Sequence, residues 1–163
     1  MIEIPFAFQL FLPFQVQLKE ATMYKVELTD AINALCYRIN GVCMRIHSEV
    51  GPGFPEEYYQ KALEYAFAEE HIPFEAQHPV PIMYRDIQLG MNYLDFLIDE
   101  KIILEIKSAN LLTNIHMFQT LKYIGYTRLD IALLINFGKE KLEYKRVLAT
   151  QKMLKFREER HLK

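Results

Sequence analysis

The sequence predicts an α/β fold, a mixed central β-sheet of about four strands flanked by helices. Three observations carry it. An amphipathic helical pattern runs from about residue 29 to a Gly-Pro-Gly stop; two strand-length runs follow around a short polar turn; and a helical segment then precedes a short, wholly apolar run. The order helix, helix, strands, helix, strand gives a mixed sheet with helices on its flanks.

Each element has a local reason. Thr29 or Asp30 caps a helix to about Val50, with Ile32, Leu35, Cys36, Ile39, Val42, Cys43 and Ile46 near a 3.6-residue period. Gly51-Pro52-Gly53 ends it, because proline removes a donor and glycine accepts the left-handed turn. Pro55 suits the first turn of a second helix, roughly 55–71, with Leu63 and Phe67 on its inner stripe. Phe74–Tyr84 contains Pro79 and Pro81 and is predicted as an edge strand. Leu89–Ile98 and Ile102–Lys107 are predicted strands joined through Asp99-Glu100-Lys101. Leu111–Tyr126 reads as a helix, Asp130–Asn136 as a buried strand, Leu142–Ala149 as a further strand, and Gln151–Lys163 as a frayed helix or tail. The expected division is an N-terminal extension (1–27), one domain (28–149) and a basic C-terminal tail (150–163).

With 163 residues, half of them apolar, the chain suffices for one domain with a substantial core. A net charge of −2 excludes a polycation that coats nucleic acid, so any phosphate contact must come from a local patch or a bound metal. Lys139 to Lys163 carries an excess of +5, leaving −7 on residues 1–138. Such a segment is either a solvated terminal strand and helix or a phosphate-tracking edge. Cys36 and Cys43 stand ~10 Å apart along one helix, too far for a disulfide, and imply buried thiols in a reducing, cytoplasmic compartment with no zinc site. The apolar residues 1–18 are too broken by Pro5, Pro13 and glutamines to span a membrane. They read as a surface-docked extension, a candidate contact for a protein partner or a second copy.

An acid-x-Lys pattern occurs three times: Asp99-Glu100-Lys101, Glu105-Ile106-Lys107 and Glu143-Tyr144-Lys145. On a strand such residues share one face, and carboxylates beside a lysine suit metal-assisted phosphodiester hydrolysis. The first lies in a turn and the third in the charged C-terminal region; the second follows Ile102-Ile103-Leu104 and pairs with the strand that contains Asp95. Placing Leu94, Phe96 and Ile98 with Ile102, Leu104 and Ile106 on one core face pairs Ile98 with Ile102. That register sets Asp95 opposite Glu105, with Cβ atoms ~5 Å apart, and Lys107 beside Tyr93. Two facing acids repel unless a cation or a proton lies between them, which is a reason to expect a metal; a solvated acid pair with Lys107 as counter-charge is the alternative.

These residues resemble the PD-(D/E)XK nuclease superfamily, and within it the small prokaryotic proteins named for a GxxExxY motif. That motif here is Gly53-Phe54-Pro55-Glu56-Glu57-Tyr58-Tyr59, followed by Asp95, Glu105-x-Lys107, a QxxxY-like Gln119-Thr120-Leu121-Lys122-Tyr123, and Ile135-Asn136-Phe137-Gly138 with Lys145-Arg146-Val147. The resemblance covers roughly residues 28–149 and implies a restriction-endonuclease-like core with a Mg²⁺- or Mn²⁺-dependent nuclease site. By the same resemblance, Glu56, Asp95, Glu105 and the carbonyl of Ile106 would ligate metal. Lys107 would orient water, Gln119 would belong to the catalytic set, and Gln119, Tyr123 and Tyr59 would position substrate. Tyr93-Leu94 stands where the family often has a basic residue, which leaves phosphate handling there open.

The residue types alone offer blander roles. Glu56 would favour a helix N-terminus, Gln119 and Tyr123 would form a surface pair, and Tyr58, Tyr65, Phe67 and Phe74 would be core. The expected activity is hydrolysis of nucleic acid, DNA in preference to RNA. The alternative is a catalytically silent nuclease-fold module that binds nucleic acid or a protein partner.

Overall fold

The Thr29 side chain accepts the amide of Ile32 at 3.3 Å and starts α1 (Asp30–Val50) in a computed structural model that describes residues 28–161. Gly51 and Gly53, with φ of 87° and 81°, close α1 and swing the chain into α2 (Glu56–Glu69). Strands β1 (Phe74–Tyr84), β2 (Ile87–Ile98) and β3 (Ile102–Lys107) follow. Then come α3 (Asn114–Tyr126), β4 (Ile131–Asn136), β5 (Glu143–Leu148) and α4 (Gln151–His161).

The sheet has five strands in sequence order, where about four were expected. Only β3 and β4 run parallel, because α3 carries the chain back between them; the other neighbours are antiparallel. β1 is the predicted edge, where its two prolines need no partner. The turn between β2 and β3 is tight, with Asp99 and Glu100 at φ of 49° and 55° and Lys101 paired to Asp99. The first acid-x-Lys is therefore turn chemistry.

Alternating side chains separate two cores. Ile102, Leu104 and Ile106 of β3 face α1 and α2 with Ile39, Cys43, Leu63 and Phe67, while Ile103 faces the opposite layer with Leu121, Tyr123 and Ile124 of α3. All six residues of β4 are buried, as a central strand covered on both faces requires. Met153 of α4 is buried in the second cluster beside Gly125, where a Cβ would meet it at 3.5 Å.

Several expectations need correction. α3 starts at Asn114 rather than Leu111, because Thr113 and His116 form the capping box. Tyr58 and Tyr65 are not core: they are 51% and 73% exposed, on the flank of α2 turned from the sheet, and Tyr58 stacks on Phe54. Phe67 and Phe74 do pack with Phe96. Leu94 joins the α3-side cluster, not the row of Phe96 and Ile98. The reversal falls at Asp95, where the pair with Gln77 drops out of the β1–β2 ladder and Gln77 takes φ 52°. Among the described residues no helix is long and apolar enough to cross a membrane. The N-terminal extension lies outside the described residues.

Candidate active site

The β2–β3 ladder holds the predicted register, Ile98 to Ile102, Leu97 to Ile103 and Phe96 to Leu104, and then stops. The next two residues are Asp95 and Glu105, whose side chains replace the missing rungs. The amide of Asp95 donates to Glu105 Oε1 at 3.3 Å, and the amide of Ile106 donates to Asp95 Oδ2 at 2.8 Å. Each acid thus fixes the opposite strand, which brings both carboxyl groups to the point where the strands part. The pairing ends before it could set Lys107 against Tyr93, and Lys107 instead pairs with Asn136 of β4.

Lys107 Nζ donates to the carbonyl of Ile106 at 2.9 Å and stands 3.8 Å from Glu105 Oε2 and 4.0 Å from Asp95 Oδ2. The Glu105 side chain is only 1% exposed. Burial holds its carboxyl well above the ordinary range, and the neighbouring Asp95 charge pushes it further, against the pull of Lys107. Asp95 is also raised, chiefly by burial, with the Ile106 amide and Lys107 opposing and Glu56 adding to the rise. A proton can relieve the repulsion within such a pair where a cation does not.

Glu56 arrives from the α2 N-terminus, and its Oε1 accepts the Ser108 amide at 3.1 Å. The Ser108 hydroxyl donates to the Phe54 carbonyl, tying the segment after Lys107 to the glycine loop. Gln119 donates to Tyr123 Oη at 3.3 Å across one turn of α3. The Tyr123 phenol is raised by burial and by the charges of Glu105 and Asp95, against the Gln119 hydrogen bond, which places it within their field. Tyr59 corrects an expectation. It is fully buried, donates to the Gly51 carbonyl at 2.7 Å, accepts the Phe54 amide at 3.1 Å and stacks on Phe137, so it anchors the loop and has no surface to offer a substrate.

Two contributors escaped the sequence reading of roles. Ser108 carries no signal beyond following Lys107. Asn136 carries one, as a polar residue closing an apolar strand. Fully buried, it exchanges two 2.9 Å hydrogen bonds with the backbone of Ala109 and accepts the Gly138 amide at 3.0 Å. It clamps the chain just beyond Lys107.

A divalent cation suits this oxygen set. Two carboxylates and the Ile106 carbonyl converge on a point that the Lys107 ammonium already neighbours, and hard ions such as Mg²⁺ are held by one or two carboxylates with water completing the shell. Among the described residues no three His, Cys, Asp or Glu side chains gather into a metal cluster, so Glu56 stands outside the immediate pair.

No curated protein matches the sequence. A solved structure, the crystal structure of SSO0001, is similar in fold with a TM-score of 0.48 and 14% identity, covering 98% of this chain and 86% of that one. A family model described as the PD-(D/E)XK nuclease superfamily matches residues 33–147, a span that contains Asp95, Glu105 and Lys107. Proteins of that superfamily typically use divalent metals. With most of its length matched, the chain belongs to the PD-(D/E)XK nuclease superfamily.

Proposed function

We propose that this protein is a metal-dependent nuclease that hydrolyses phosphodiester bonds, DNA in preference to RNA, with Mg²⁺ or Mn²⁺ as its ion. Within the superfamily we assign it to the GxxExxY group, on Gly53, Glu56 and Tyr59. The single observation that carries the proposal is the crossed pair of hydrogen bonds through which Asp95 and Glu105 are held facing each other beside Lys107.

Asp95, Glu105 and the Ile106 carbonyl would hold the ion, with Glu56 reaching it through water. When bound, the cation supplies Lewis-acid polarisation of the scissile phosphate and lowers the pKa of water. Lys107 then releases the Ile106 carbonyl, orients the attacking water and offsets the charge that builds on phosphorus-bound oxygen. Water would form the new P–O bond and give up a proton to solvent as the bond to the leaving oxygen breaks, and the leaving oxygen would take up a proton from solvent. Gln119 and Tyr123, hydrogen-bonded to each other on α3, would position the strand.

Cleavage of plasmid and of single-stranded substrates with Mg²⁺ or Mn²⁺ tests this. The wild type is expected to cut, and Glu105→Ala and Lys107→Ala to be inactive. An inert wild type, or activity indifferent to both changes, sinks it. One observation favours the second reading, a silent binding module: the ammonium of Lys107 is already bonded to a prospective ligand oxygen. Calorimetric titration with Mn²⁺ separates the two, since a silent module has no need of the ion.

A further inference from the structure

The two helical layers differ in the sign of their charge. From Asp30 to Glu70, α1 and α2 carry seven acids against three lysines and arginines. On the other side of the sheet, no Asp or Glu occurs from Ile106 to Leu129, a stretch that contains the whole of α3. Nor does one occur from Tyr144 to Arg157, across β5 and into α4. Both arginines of α1 are engaged within their own layer: Arg45 pairs with Glu70 at 2.6 Å, and Arg38 donates to the Glu70 carbonyl at 2.9 Å. Lys122, Lys145 and Lys155 form no ion pair among the described residues.

These three lysines are brought to one face. Glu105, Leu134 and Lys145 are successive cross-strand partners on β3, β4 and β5, so Lys145 shares the side of the sheet that carries Glu105, two strand spacings or about 10 Å away. Val147, two residues further on, is buried in the α3-side cluster. Lys122 stands exposed on α3, three residues after Gln119 and three before Gly125. Met153 of α4 packs beside Gly125, which brings the exposed Lys152 and Lys155 alongside that end of α3.

The face on which Glu105 and Lys107 lie is therefore the cationic one, and its opposite is acidic. Phosphate is the group that such a surface holds, with release of counterions as the driving force. Ammonium groups spread over α3, β5 and α4 suit the paired backbones of a duplex better than the single track of one strand. Lysines on phosphates fix position and carry no base preference.

We propose that the α3/α4 face, through Lys122, Lys145 and Lys155, binds the phosphate backbone of duplex DNA beside the scissile bond; this names the substrate of the nuclease proposed above and rests on that reading. The three lysines hold and orient the duplex and take no part in the bond-breaking step.

The test is anisotropy of a fluorescein-labelled DNA duplex with the full chain in Ca²⁺ over a range of salt, with a single strand of the same length alongside. The wild type should prefer the duplex, and its affinity should fall steeply with salt. Lys122→Gln, Lys145→Gln and Lys155→Gln combined should make the slope of log K against log salt shallower by about 0.9 per lysine removed, and weaken binding at least about tenfold. Lys61→Gln on α2 should change neither, and arginine at the three positions should restore both. A slope untouched by the triple change, an equal loss from Lys61→Gln, or tighter binding of the single strand overturns the proposal. So does self-association in sedimentation that the triple change abolishes, which would make this face a contact for the acidic layer of a second copy. Lysine-dependent duplex binding without any cleavage would retain the inference and remove the nuclease. Cleavage of duplex with the slope unchanged in the triple variant would do the reverse.

Discussion

Asp95 and Glu105 hold each other's strands: the Asp95 amide donates to the Glu105 carboxylate at 3.3 Å, while the Asp95 carboxylate accepts the amide next to Glu105 at 2.8 Å. Glu105 is thereby fixed in a buried position, with the partly exposed Asp95 beside it. The consequences are measurable.

The first concerns pH. Burial and the Asp95 charge raise the Glu105 carboxyl in the folded protein, so between its unfolded and folded pKa the native state binds the proton more tightly than the unfolded chain does. The resulting stabilisation is complete below the ordinary glutamate range and is lost as pH rises through the raised value. Metal-free protein should therefore lose stability from acid toward neutral pH, and Glu105→Gln should be the more stable form at pH 7. Urea denaturation in EDTA across that range is the measurement. Parallel curves for the two proteins would contradict it.

Lys107 is the counter-charge of the pair. Lys107→Met should lower the melting temperature in EDTA, and Mn²⁺ should raise it by more than in the wild type, because the ion then has no competing ammonium. Cleavage should fall by at least about 100-fold. A variant that neither melts lower nor responds more strongly to Mn²⁺ would deny Lys107 this place.

Asn136 should matter for both stability and turnover. Asn136→Ala removes four hydrogen bonds from a fully buried site and should cost about 2–4 kcal/mol of stability by urea denaturation. Gly138→Ala attacks the same junction sterically, since its Cβ would lie 2.4 Å from the Ala109 backbone. An unchanged midpoint for either variant would mean that the clamp is not rigid.

Both thiols should be silent in the native state. Burial pushes Cys43 up to about 12 and raises Cys36, leaving almost no thiolate at pH 8. Ellman's reagent should report neither thiol until denaturant is added, and then both. Prompt reaction of one thiol in native protein would show that α1 opens.

Much of this was legible because it is local. A period of two fixes which side chains face each other once one pair is set, so Ile98 against Ile102 was enough to bring Asp95 to Glu105. Prolines identified the edge strand, and Gly51 and Gly53 the break between α1 and α2. Leu94 was misplaced because the pattern assumes an unbroken alternation, whereas the ladder lapses at Asp95. Tyr58 was misplaced because aromatic character says nothing about which flank of a helix meets the sheet. The buried, loop-anchoring place of Tyr59 depends on Phe137, far away in sequence.

By itself the sequence determined the elements, the hairpin register and the facing of two acids, all set by backbone geometry over a few residues. The tertiary structure decided which acid-x-Lys became a site. Glu105 is buried because β4 pairs beside it and α3 packs over that face, Glu143 lies on the other edge strand, and Asp99 is left in its turn. Burial and electric field are sums over neighbours distant in the chain, and only the fold brings those neighbours together.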